Sequence, residues 1–179
     1  YYTGARSTKI GAISIGSALY SEGGDVNGPY AKGISSIAIG SGSQRGLAQF
    51  DQGITFAGNV DCIAIGRGAF ADGVNVTYSC GSVAIGVQSY ATKIGSVSIG
   101  ANSYAKGEYS IGIRGRAVGD NSVSLSNGLS GGYNSVAIKG IAGGTNCISI
   151  IGSAGGFPAE ASCISIGAGS AVKYGCVQI

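Results

Sequence analysis

The chain has 179 residues, enough for one domain, with 35 Gly, 44% hydrophobic residues and only 11% charged ones. Glycine without a Gly-X-Y period and beside only 2 Pro excludes collagen, and the aliphatic content excludes disorder. A scattered net charge of +3 offers no basic stripe for nucleic acid, and no apolar run reaches the roughly 18 residues of a membrane-spanning helix. A chain that opens at Tyr1-Tyr2-Thr3 and stops within a repeat at Ile179 reads as a segment of a longer protein, its export signal or anchor lying outside.

In chain order, one phrase returns: a small residue, an aliphatic, Ala or Ser, a second aliphatic, and usually Gly. Its paired aliphatics are Ile13 and Ile15, Ile37 and Ile39, Ile63 and Ile65, then Val83 and Ile85, Val97 and Ile99. A degraded copy is read at Tyr109-Ser110-Ile111-Gly112. The pairs Val123 and Leu125, Val136 and Ile138, Ile148 and Ile150, Ile164 and Ile166 follow, and Cys176-Val177-Gln178-Ile179 closes the set. Counted on the first aliphatic, with 109 for the degraded copy, the steps are 24, 26 and 20, then 14, 12, 14, 13, 12, 16 and 13. Short-period self-similarity marks a solenoid whose repeats are single coils. A coil of about 13 residues holds two short strands and two turns, too little for a three-sided helix or a β-α repeat. The expectation is an all-β parallel β-roll with coils of 13–14 residues, one repeat domain over 1–179. Within it, 1–82 forms irregular coils with inserted loops and 83–179 forms regular ones. Eleven strands about 4.8 Å apart would span roughly 50 Å.

Alternation sets the faces, because residues two apart share a side of a strand. The aliphatic column (Ile13 to Ile166 above) is expected to be the packed core. The other column is Ala or Ser in nearly every copy, and such monotony means close approach, by the opposite wall of a thin roll or by a neighbouring subunit. A two-stranded roll has a meagre core, which favours an oligomer. A weaker second phrase fills the rest of the coil: Pro29-Tyr30-Ala31-Lys32-Gly33, Ala69-Phe70-Ala71-Asp72-Gly73, Ser89-Tyr90-Ala91 and Ser103-Tyr104-Ala105-Lys106-Gly107. Phe157-Pro158-Ala159 is a worn copy.

Candidate sites are few. Tyr30, Phe70, Tyr90 and Tyr104 form a possible outward stripe, and aromatics on a rigid surface anchor protein or glycan ligands; covering a neighbouring turn is the plainer role. Tyr20, Phe50, Phe56 and Tyr78 in the insertions are open between loop packing and ligand contact. Arg114 and Arg116, with Lys93, Lys106 and Lys139, make a basic band for acidic ligands, or simply solvated charge. Asn75-Val76-Thr77 fits a glycosylation acceptor, a pattern common by chance. Cys62, Cys147, Cys163 and Cys176 hold one column position and Cys80 lies in a connection. They read as small buried substitutes for Ser, with disulfides as the open alternative. With no His, dispersed carboxylates and no Cys-x-x-Cys, there is no catalytic residue, no metal site and no cofactor to name. The chain does not read as an enzyme.

Ser-Val-Ala-Ile-Gly followed by Ser-x-Ala-x-Gly, in about ten near-copies, resembles the head repeats of YadA-like trimeric autotransporter adhesins. The resemblance covers 83–179 well and 10–82 loosely. It implies a left-handed parallel β-roll assembled as a homotrimer at the tip of a bacterial outer-membrane fibre. It also implies multivalent binding of host matrix or cell-surface protein or glycan. The insertions at 17–33, 41–59 and 67–81 and the five cysteines depart from the family pattern, and no neck or stalk is present. A structural spacer in a phage or virus fibre is the runner-up; an ice-binding solenoid would want ranks of Thr that this chain lacks.

Overall fold

The computed structural model describes residues 2–17, 26–41, 43–44, 54–73, 81–155, 162–171 and 175–179. Among them the chain is strand and turn, and no helix is long and apolar enough to cross a membrane. It divides into two units, one of residues 1–95 with 99–102 and one of 96–98 with 103–179. Each is a parallel β-roll built from the same coil: a three-residue strand, a connector, a two-residue strand and a five-residue turn.

In the first unit the three-residue strands Ile13–Ile15, Ile37–Ile39, Ile63–Ile65 and Val83–Ile85 pair in parallel, with Ile37 opposite Ile63 and Ile63 opposite Val83. The two-residue strands Arg6–Ser7, Tyr30–Ala31, Phe56–Ala57, Phe70–Ala71 and Tyr90–Ala91 make the other wall. Three intervals between the unit's strands, 16–29, 40–55 and 72–82, are longer than the regular connectors and turns. Backbone from two of them, Val26–Asn27 and Ser43–Gln44, joins Tyr2–Thr3 in a separate small sheet, partly antiparallel. In the second unit Ile111–Ile113, Val123–Leu125, Val136–Ile138, Ile148–Ile150, Ile164–Ile166 and Val177–Gln178 pair in order. Its second wall runs Tyr104–Ala105, Arg116–Ala117, Leu129–Ser130, Ile141–Ala142, Ser153–Ala154 and Ser170–Ala171.

The interior corrects one expectation. Among the described residues the fully buried side chains include Ala38, Ala64, Ala84, Ala137, Ser124, Ser149 and Ser165 on one wall, facing Ala31, Ala57, Ala71, Ala105, Ala117 and Ala142 on the other. Thr55 is the largest of them. The opposite wall of a thin roll is therefore what lies against the small residues. The aliphatic column expected in the core (Ile13, Ile15, Ile37, Ile39, Ile63, Ile65, Val83, Ile85, Val97, Ile99, Val123, Leu125, Val136, Ile138, Ile148, Ile150, Ile164, Ile166) faces out of the roll. These residues are half-buried or exposed; Ile15 is 56% and Ile166 40% accessible. The reason is thickness: two walls joined by connectors of two to four residues leave no space for branched side chains between them.

Interior hydroxyls add a second donor to connector carbonyls that already accept a backbone N–H, from Arg116 at Gly128, Ile141 at Gly152 and Ala69 at Gly66. Ser124 Oγ donates to Gly128 O at 2.5 Å, Ser149 Oγ to Gly152 O at 2.6 Å and Thr55 Oγ1 to Gly66 O at 2.7 Å. Among the described residues no buried side-chain N or O lacks a partner, as burial of polar groups demands. The five-residue turn has its fourth residue in the left-handed region: Ser35, Asp61, Tyr109, Asn121, Asn134 and Asn146 at φ 52–55°. Asn and Asp tolerate that conformation and recur there for that reason.

One copy of the phrase is out of register. Ile111 pairs with Val123 and Gly112 with Ser124, so Ile111 is the first aliphatic and Gly112 the small inner residue, while Tyr109 sits exposed in the turn. The step before it is therefore 14 residues and the step after it 12, the difference being connector length. Residues 100–103 make a four-residue connector and 114–115 a two-residue one.

Candidate functional site

The aromatic stripe belongs to the two-residue wall. That strand is Tyr-Ala or Phe-Ala: Ala turns inward to the small-residue core, and alternation sends the ring out. Parallel pairing without offset then stacks ring on ring. In the first unit Tyr30 and Phe56 centroids are 5.7 Å apart, edge to face; Phe56 and Phe70 stack at 5.1 Å; Phe70 and Tyr90 lie at 6.3 Å. All four are half-buried. Arg6 caps the row, its guanidinium 4.9 Å from the Tyr30 ring. Phe56, open in the sequence between loop packing and ligand contact, belongs to the row; Thr55-Phe56-Ala57 carries the small residue, aromatic and Ala of the second phrase, and the aromatic directly before Ala was the signal.

In the second unit Tyr104 is flanked by two cations, with Arg116 5.5 Å and Lys106 5.3 Å from its ring. Such placement over an aromatic face is attractive by about 0.5–1 kcal/mol where exposed. Arg114 is not part of this cluster by position. It occupies the left-handed first place of a two-residue connector, φ 47°, the place Lys139 takes at φ 52° two coils later. Both are exposed, as is Lys93. Tyr20, Phe50, Tyr78, Cys80, Asn75-Val76-Thr77 and Phe157-Pro158-Ala159 lie outside the described residues.

Near Phe56 and Phe70, Asn59 Nδ2 donates to Asp72 Oδ1 and to Gly73 O, both at 2.6 Å, tying successive turns together. Burial holds the Asp72 carboxyl above the ordinary carboxylate range, and the nearby Lys32 pulls against that shift.

The cysteine column is interior. Cys62, Cys147 and Cys163 are fully buried and Cys176 half-buried. Burial, and then the neighbouring Cys147, push the Cys163 thiol up. Among the described residues no group of three or more His, Cys, Asp or Glu side chains is arranged to hold a metal ion.

Residues 31–44, 81–103 and 91–113 match the model of the YadA head domain repeat. Those segments contain the strands Ile37–Ile39, Val83–Ile85, Val97–Ile99 and Ile111–Ile113, with the Tyr90 and Tyr104 strands between them. No curated protein matches the chain. The matched segments, with Ser-Ile-Ala-Ile-Gly at 36–40 and Ser-Val-Ala-Ile-Gly at 82–86 on one wall and Tyr90-Ala91 and Tyr104-Ala105 on the other, are thus similar to YadA head domain repeats, a non-catalytic domain of the adhesin type.

Proposed function

We propose that this chain is part of a homotrimeric adhesin head, displayed at the bacterial cell surface in the distal part of an outer-membrane-anchored fibre. Three copies pack through their three-residue-strand walls and present the two-residue-strand walls to host matrix protein, cell-surface protein or glycan. The observation that carries this reading is the inversion of the roll: its interior is Ala, Ser and Cys, and its large aliphatics face outward. An interior methyl contributes on the order of 0.8 kcal/mol, whereas burying an Ile or Val side chain contributes about 1.5–3 kcal/mol. With two such side chains in nearly every coil, most of the stabilisation within reach lies outside the single chain. Continuous apolar surface of this kind marks an interface. The number three is carried over from the family resemblance.

Tyr30, Phe70, Tyr90, Tyr104, Arg114 and Arg116 are the proposed contact residues. Three copies of a row of rings on one stiff body multiply weak contacts, because the second and third binding events are intramolecular. Retention of the assembled head on immobilised host-cell matrix tests this. Phe70→Ala combined with Tyr90→Ala should lower retention by roughly tenfold or more, through lost avidity. Retention unchanged in that variant would place the contact surface elsewhere.

A further inference from the structure

At the fifth position of the five-residue turn the usual residue is Ser, and its hydroxyl turns back into its own coil. Ser36 Oγ donates to Gly33 O at 2.7 Å, Ser110 to Gly107 O at 2.7 Å, Ser122 to Gly119 O at 2.5 Å and Ser135 to Gly132 O at 2.7 Å. Sulfur at the same position also reaches along the stack, Cys147 Sγ meeting Thr145 O of its own turn at 3.6 Å besides. Cys62 Sγ lies 3.1 Å from Ser82 Oγ in the next coil. Cys147 Sγ accepts the backbone N–H of Cys163 at 3.4 Å, and Cys163 Sγ accepts that of Cys176. Since Ile148 pairs with Ile164, Cys147 and Cys163 are adjacent rungs of one ladder.

We infer that Cys147 and Cys163 form a disulfide between successive coils, closing the coil that carries the 155–163 insertion. Adjacent rungs stand about 4.8 Å apart, slightly more than the 3.5–4.5 Å between Cβ atoms of a disulfide, so the strand ends must tilt together. The pair stands sixteen residues apart in the sequence, and Gly155, in the left-handed region at φ 77°, follows Ala154. A Cβ at Gly155 would lie 3.0 Å from Cys147 Sγ, so Gly there makes room for the sulfur. Cys163 and Cys176 stand thirteen residues apart, and Cys176 is only half-buried. The reaction needs an external low-molecular-weight disulfide as oxidant. One thiolate of the pair attacks it, giving a mixed disulfide and releasing one thiol. The second cysteine attacks the protein sulfur of that bond and releases the other thiol, so two cysteine hydrogens end on two small thiols. Because both sulfurs are buried, the exchange occurs while this coil forms or opens. Cys62 is an internal control, buried in the same column beside Ser82.

The test is to refold the whole chain with oxidised and reduced glutathione, alkylate the remaining thiols, and cleave after Glu160 and Lys173, which separates Cys147, Cys163 and Cys176. The bridge predicts linked Cys147 and Cys163 peptides, with Cys62 and Cys176 alkylated. It also predicts a thermal midpoint several degrees higher than that of the reduced chain, a difference abolished in Cys147→Ser. Ser is native to this column, so that variant should fold. A Cys163–Cys176 link, or alkylation of both Cys147 and Cys163 after refolding, would overturn the inference.

Discussion

The two units run the same coil at different widths. In the first unit the residue before each aromatic two-residue strand is Pro29, Thr55, Ala69 or Ser89, all buried side chains on the inner side of a long connector. In the second unit, from Gly115 onward, that residue is Gly115, Gly128, Gly140, Gly152 and Gly169, at the end of a two- or three-residue connector. A Cβ on Gly140 would fall on Ser149 Oγ and within 2.5 Å of Gly152 O. A longer connector thus opens one small-residue slot per coil, and a shorter one closes it. The outer walls diverge too, with an aromatic row in the first unit and Leu129, Ile141, Ser153 and Ser170 along most of the second. Repeat architecture fixes the small inner columns, while connector length and the outward residue of the short strand are free to vary.

This contrast can be broken most sharply at the aromatic row. Phe56→Ala removes a ring packed between Tyr30 and Phe70 and should cost about 2–3 kcal/mol in denaturant unfolding. The matching change Leu129→Ala should cost only about 1 kcal/mol. Equal costs would mean that the row contributes no more than ordinary half-buried side chains. Next comes the slot itself. Gly140→Ala should destabilise by about 1–3 kcal/mol through overpacking, whereas Ala69→Gly should lose about 1 kcal/mol through a missing methyl and a looser backbone. A neutral Gly140→Ala would show that the second unit has room its geometry denies.

Smaller still is the inner hydroxyl. Ser124→Ala removes the second donor to Gly128 O, which keeps the Arg116 N–H, and should cost at most about 1 kcal/mol in urea titration. The smallest effect is electrostatic. Because burial raises the Asp72 pKa, its proton is held more tightly in the folded state than in the unfolded one. The stability it contributes is gained as pH falls through the folded value and is complete below the unfolded one. Asp72→Asn keeps an acceptor for Asn59 and should flatten that part of the stability–pH curve; an unchanged curve would assign the slope to other carboxylates.

The parallel roll was legible in the sequence because the phrase repeats with strand alternation and a coil length that admits only two strands. Its inside and outside were not, since a period of two separates the faces without labelling them. Ranking by hydrophobicity puts Ile63 and Ile65 within, whereas connector length leaves space only for Ala64. The uniformity of the Ala/Ser column was the better guide, because only close approach forbids every larger side chain. Taking Gly112 as the closing glycine shifted one copy by two residues, an error the left-handed turn position at Tyr109 exposes. Phe56 was hidden by the insertion before it. The small sheet of Tyr2–Thr3, Val26–Asn27 and Ser43–Gln44 has two-residue strands within irregular segments, too short for any periodic signal.

The outward Ile and Val columns are the centre of the functional proposal, and assembly is the direct test of it. The mass of the folded chain in solution should be measured by light scattering, for the native sequence and for Ile63→Lys combined with Ile65→Lys. Trimeric assembly through these columns predicts the mass of three chains for the native sequence, lost in the double variant. A native chain with the mass of one, stable with its aliphatic columns in water, would contradict it.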